Sequence, residues 1–151
     1  MCIVPGHAWA PPAFFQWKNC HCDIFCNFAV ITDWKKMYKD IIIKIATEAN
    51  ISKYFSLEEI GIDNYAFPYQ QAILLVDVLR QSYVPILGGD VYLKLGSSLE
   101  SSYDNWYCDK KEDERDSVFV KRSCDVAEIF IKEYKWKNIV KEPLFAFVIG
   151  K

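Results

Sequence analysis

Three groups of side chains in this sequence are of types and spacings that could do chemistry. Cys20, His21, Cys22 and Cys26 gather four soft ligands within seven positions. Zinc sites usually pair two such clusters across a loop, and a second exists here only if Cys2 and His7 supply it. The second group is Asp90 and Asp104, since paired carboxylates can carry acid–base or glycosidic chemistry when a cleft holds both. The third is Cys108 and Cys124, but the chain has no histidine after His21 to activate a thiol. Gly88-Gly89 lacks the Lys-Ser/Thr pair or third glycine of a phosphate-binding loop. The expectation is a protein with no catalytic residues, no bound metal and no cofactor.

Bulk composition narrows the partners. With 151 residues, 52% hydrophobic and 16% aromatic, the chain can bury one domain-sized core. A formal net charge of -2 provides no basic face for nucleic acid. No apolar run approaches the roughly 20 residues that cross a bilayer. Six cysteines raise the question of disulfides. Met1 to Pro12 carries no Lys or Arg and is broken by Pro5, Gly6, Pro11 and Pro12, unlike an export signal. Reduced thiols and a cytoplasmic location follow as expectations.

Composition breaks between Lys36 and Met37. Residues 1–36 hold both histidines, Cys2, Cys20, Cys22, Cys26, Trp9, Trp17 and Trp34, yet no Leu, Glu, Ser, Arg or Tyr. Either Met37 is the native start, or the leader is a disordered appendage, or it is the metal site above. Residues 37–151 read as a single domain.

Periodicity sets out that domain. Tyr38, Ile41, Ile42, Ile45, Ala46 and Ala49 recur at helical steps, predicting a helix over 37–49. Ser56-Leu57-Glu58-Glu59 has the form of a capping box, opening one short turn that Gly61 ends. Pro68 suits a first helical position, and a second helix is expected over 68–83 with Tyr69, Ala72, Leu75, Val76, Leu79 and Tyr83 as its core stripe. Leu74 falls on the opposite side, so it is either covered by another element or part of a contact surface. Residues 85–95 and 99–108 alternate as strands around Gly96-Ser97-Ser98. A third helix is expected over 117–135, with Val120, Cys124, Ala127, Ile131 and Tyr134 inward. The unalternating apolar run in 143–149 suits a strand covered on both faces. The fold expected is α+β, a mixed or antiparallel sheet of about three strands packed by helices.

The hairpin carries the most information. A three-residue loop sets Leu95 against Leu99, Lys94 against Glu100, Tyr92 against Ser102, Asp90 against Asp104 and Gly88 against Trp106. A two-residue Gly96-Ser97 turn is chemically reasonable too. It sets Leu93 against Glu100 and mismatches both faces, so the first register is preferred. Two carboxylates then share one face, an unfavourable placement unless they serve a purpose. They either receive an Arg or Lys of a partner, ringed by Tyr92, Trp106 and Tyr107, or cap a turn and accept backbone hydrogen bonds.

Ile86-Leu87-Gly88-Gly89-Asp90-Val91-Tyr92, Tyr103-Asp104-Asn105-Trp106-Tyr107-Cys108 and Arg122-Ser123 resemble the immunity protein 40 family of bacterial polymorphic-toxin systems. The resemblance spans residues 56–136, matching at Gly88, Gly89, Asp90, Tyr92, Asp104, Trp106 and Arg122. It implies an α+β fold, a non-catalytic role, and a cognate protein toxin encoded by the neighbouring gene. Partner-binding residues would be Asp90, Tyr92, Asp104, Trp106 and Tyr107, with Gly88, Gly89 and Arg122 as framework. Setting aside Lys18, Lys35, Lys36, Asp23 and Asp33 leaves -3 from Met37 onward, a weak steering charge toward a basic toxin. The competing readings are a small hydrolase using Asp90 and Asp104, and a regulatory module that binds another protein through Leu74 and the hairpin.

Overall fold

A computed structural model describes residues 28–136 and 140–151, with side chains described from Met37 onward. The Cys20–Cys26 ligand cluster lies outside the described residues. Three helices and five strands form in the order α1 (Phe28–Glu48), β1 (Phe55–Ser56), β2 (Tyr65–Pro68), α2 (Tyr69–Gln81), β3 (Ile86–Leu95), β4 (Ser98–Tyr107), α3 (Asp116–Glu133) and β5 (Glu142–Ile149). The fold is α+β, as the sequence predicts. The sheet is antiparallel throughout, in the order β1-β2-β5-β3-β4. It has five strands where about three were expected, because β1 and β2 are too short to show a period. Helix α1 is already formed at Phe28, the first described residue, and so runs through the compositional break at Met37.

The strand after α3 becomes the centre of the sheet. Strand β5 pairs with β2 on one side and β3 on the other, and its Leu144 to Phe147 are buried on both faces. On the first face Phe67, Val91, Trp106, Phe145 and Phe147 pack under Ala72, Leu75, Val76 and Leu79 of α2 and Val120, Cys124, Ala127 and Ile131 of α3, with Ile42 and Ala46 of α1 beside them. Tyr69 and Tyr83, expected in that stripe, are instead exposed: Tyr69 is the first residue of α2, and Tyr83 lies past its C-cap Ser82 at φ +57. Leu74 is exposed as well, which settles it as surface and not core. Arg80 ties the two helices together, reaching Glu128 at 2.6 Å and Asp125 at 3.3 Å. The buried hydroxyl of Ser123 accepts the Ile86 N–H at 3.1 Å and donates to the Val120 carbonyl at 3.0 Å. That bond fixes the start of β3 against α3, and no polar atom of Ser123 is left unmet.

The described residues cover only half of the second face. Leu57, Ala66, Tyr92, Leu144 and Ala146 form a small cluster there, closed by Phe55, Ile60, Ile62 and Leu99. The cover is β1 and the expected short turn, a single 3-10 turn at Glu58–Ile60. Ser56 Oγ accepts the Glu58 N–H at 3.3 Å, and Gly61 ends the turn at φ +77, a left-handed value that favours glycine. Beyond this cluster the half of the sheet holding Asp90, Asn105 and Val148 lines an open cleft.

Candidate functional site

The hairpin takes the register that was not preferred. Gly96-Ser97 is a two-residue loop, pairing Leu95 with Ser98, Lys94 with Leu99 and Leu93 with Glu100. Gly96 supplies the positive φ, +58, that the first position of such a loop requires. The mismatch costs little because Leu93 is only half-buried and Leu95 is exposed. Core burial therefore does not enforce register at this end. Lys94 does not pair with Glu100; it reaches the Gly96 carbonyl and lies 4.9 Å from the Phe55 ring centre, while Lys141 takes Glu100.

A bulge then shifts the pairing. Tyr92 faces Ser101, but Asp90 faces Asn105, so β4 spends two more residues than β3 across this interval. Serines hold it. Ser102 Oγ donates to the Val91 carbonyl at 2.9 Å and accepts the Asp104 N–H at 3.1 Å, while Ser101 Oγ accepts the Tyr103 N–H at 3.1 Å. Tyr103, at the crest, is held at φ +63. A left-handed tyrosine costs on the order of 1–3 kcal/mol and survives only where its surroundings force it.

The bulge and the turn together separate the residues that alternation had grouped. Trp106 pairs with Gly89, not Gly88, and its side chain is interior, 2% exposed. It stacks on Phe130 of α3 at 4.7 Å between ring centres and meets Phe147 edge-on at 5.8 Å. Trp106 is thus no outward anchor, and it lies across the sheet from Asp90. A one-residue offset in β4 is enough to reverse the face of each of its side chains. Asp104 does not oppose Asp90 either: the Tyr134 hydroxyl donates to it at 2.8 Å. Asp104 therefore serves a tyrosine hydroxyl and not the backbone donors expected of it, and it does not line the cleft that holds Asp90. Burial, with Asp104 beside it, holds the Tyr134 hydroxyl up at about 12.

The framework residues have plain physical duties. A Cβ on Gly89 would stand 2.2 Å from the Ala146 carbonyl oxygen and 2.3 Å from the Trp106 ring, and one on Gly88 would stand 2.4 Å from the Trp106 carbonyl oxygen. Only glycine lets the backbone approach this closely. Arg122 stitches the charged 109–115 loop to α3. It grips Glu114 with two hydrogen bonds of 2.8 and 2.7 Å, the Asp109 carbonyl at 2.7 Å, and Cys108 Sγ at 3.0 Å. That clamp holds the Glu114 carboxyl at about 2, and burial pushes the Cys108 thiol up.

What remains on the open half of the sheet is a cleft of about 580 Å³. Asp90, Tyr92, Ser101, Tyr103, Asn105 and Val148 line it from the sheet; the Gly61–Asn64 loop and the Tyr38–Ile42 part of α1 form the facing wall. Lys39 pins that wall, bonded to Asp63 at 2.6 Å and Glu58 at 2.7 Å and set 5.0 Å from the Tyr65 ring centre. Asn64 Nδ2 donates to the Phe147 carbonyl at 3.2 Å, where β2 no longer covers β5. Asp90 is half-buried at the floor, and among the described residues its carboxylate makes no side-chain hydrogen bond or ion pair. Burial alone raises its pKa. Tyr92 beside it, buried and next to that carboxylate, is pushed up to about 12. Tyr107 is half-exposed on the same face, two residues beyond Asn105.

Of the five residues proposed to meet a partner, Asp90 and Tyr92 share this cleft and Tyr107 shares its face. Asp104 and Trp106 belong to the packing behind it. Tyr103, Asn105 and the 61–64 loop were not anticipated. The doubled serine before Tyr103-Asp104-Asn105 was the available signal, because Ser side chains commonly satisfy backbone groups that irregular strands release.

The sequence profile of the family Immunity protein 40 matches residues 56–149, more than half the chain. The chain belongs to the Immunity protein 40 family. The matched span takes in β2 to β5, α2, α3 and the second residue of β1, together with every residue of the sheet side of the cleft. No curated protein and no solved structure is similar enough to match. Among the described residues no helix is long and apolar enough to cross a membrane.

Proposed function

We propose that this immunity-family chain is a non-catalytic cytoplasmic inhibitor that binds a bacterial toxin and occludes it, docking through the uncovered half of its sheet. One observation carries the choice of surface: Asp90 is half-buried, with no side-chain hydrogen bond or ion pair among the described residues, in the same cleft as Tyr103, a tyrosine held in a left-handed backbone. Both features cost stability, and neither supports the core. Stability given up at a single surface spot is characteristic of a site kept for recognition. The helix face offers a contrast. There the Arg80 charge is already paired with Asp77, Asp125 and Glu128 within the chain, so it has less to gain from a charged partner, although its buried Nε has no hydrogen-bond partner among the described residues.

The experiment is co-expression with the toxin encoded by the neighbouring gene. The expected outcome is that cells producing the toxin alone stop growing and cells producing both grow normally. The purified pair should also co-elute at micromolar concentration. Growth arrest that this chain does not relieve, with the two proteins eluting apart, would exclude the proposal.

A further inference from the structure

Building on the toxin-binding reading, we infer that the Asp90 cleft is a receptor for one basic side chain of the toxin, whose guanidinium or ammonium group enters to meet the Asp90 carboxylate. Charge decides the class of guest. The cleft is lined by two carboxylates, Asp63 and Asp90, and one cation, Lys39. That cation is already committed to Asp63 and Glu58, so among the described residues of the cleft an anion finds no free counter-charge. An apolar guest would seal the Asp90 carboxylate away from water without replacing its hydrogen bonds, which is strongly unfavourable. A cation reverses both penalties, since the carboxylate that burial destabilises becomes half of a pair.

The walls suit the rest of such a side chain. Tyr38, Tyr92 and Tyr103 line the cleft, offering aromatic faces to a methylene stem and to a planar guanidinium. Tyr103 is 64% exposed and its backbone is fixed by the Ser101 and Ser102 hydroxyls. It can close over an entering group with little loss of freedom. A cleft of about 580 Å³ lies within the usual range for sites that take one compact guest.

Two measurements on the full chain test this. In the first, the affinity for the neighbouring gene's toxin is compared between the native chain and Asp90→Asn, with Asp90→Lys as the reversed charge. Removing one partner of a desolvated charge pair should weaken binding on the order of 100-fold for Asp90→Asn and more for Asp90→Lys, with circular dichroism unchanged. In the second, the chain alone is titrated with N-acetyl-arginine amide and with its uncharged citrulline counterpart, followed by NMR. The arginine probe should shift Tyr92, Tyr103 and Asn105 signals saturably at millimolar concentration, the citrulline probe should not, and Asp90→Asn should abolish the response. Asp90→Asn binding the toxin within threefold of native, or the two probes acting alike, would overturn the inference while leaving toxin binding intact. A native chain that binds no toxin but answers the arginine probe would overturn the toxin reading alone.

Discussion

Replacing Trp106 by alanine should cost about 3–5 kcal/mol of folding stability, the range for deleting a large aromatic from a packed interior. Against the 5–15 kcal/mol that holds most domains together, this is a severe loss, lowering the thermal midpoint by about 10 °C or more. The indole fills the space between β4 and α3, stacked on Phe130, edge-on to Phe147 and covering Gly89. Its Nε1 is buried with no hydrogen-bond partner among the described residues, an uncompensated cost already present in the native chain. Trp106→Phe removes that orphan donor along with some apolar area, so it should cost less than half as much as Trp106→Ala. Urea denaturation of the three proteins checks both numbers. An alanine variant as stable as native would mean that the indole is an outward anchor after all.

The second large effect runs in opposite directions for folding and for binding. Asp90→Asn should raise stability at pH 7 by about 0.5–2 kcal/mol, the usual yield when a functional compromise is relieved, while weakening the toxin complex. The sign follows from the carboxyl's displaced equilibrium. Its folded pKa lies above the unfolded value because burial disfavours the charge. The folded state therefore holds the proton more tightly, and Asp90's favourable contribution is complete only below the unfolded pKa. It is lost as pH rises through the folded pKa. The stability gap between Asp90→Asn and native should be widest at neutral pH and should close as pH falls through the carboxylate range. Parallel melts of the two proteins at pH 3.5 and pH 7 read this directly. A variant less stable than native at pH 7 would mean that Asp90 supports the fold and is not held in reserve for a partner.

The contrast between these two residues shows what sequence can and cannot disclose. Helices α2 and α3 were legible because Ala72, Leu75, Val76 and Leu79, and Val120, Cys124, Ala127 and Ile131, repeat at helical steps and all are buried. Strand β5 was legible from an apolar run without alternation, which fits its central place. Strand β2 was not, because it is four residues long and ends at Pro68, which reads equally well as the opening of α2. Pro68 is in fact extended, with ψ 159, and serves as the N-cap residue of that helix. The site was half legible for a related reason. Simple alternation along β3 put Asp90 and Tyr92 on one face, as they are, but Tyr92 is buried in the small cluster there and is not outward. Alternation along β4 gave the wrong face for Trp106, because counting across a hairpin assumes a known loop length and no bulge. Two serines and a left-handed tyrosine break that assumption. The cleft's far wall comes from Gly61–Asn64 and α1, segments distant in sequence from the hairpin, and no local pattern reports such a meeting.

The most direct test of the proposed docking surface is backbone hydrogen exchange on this chain, free and mixed with the toxin proposed as its partner. Slowed exchange on binding should appear in Tyr103–Tyr107 and Gly61–Asn64, with the outer sides of α2 and α3 around Leu74 and Ile129 unchanged. Slowing confined to those two helices, with the cleft segments exchanging as in the free protein, would contradict the account.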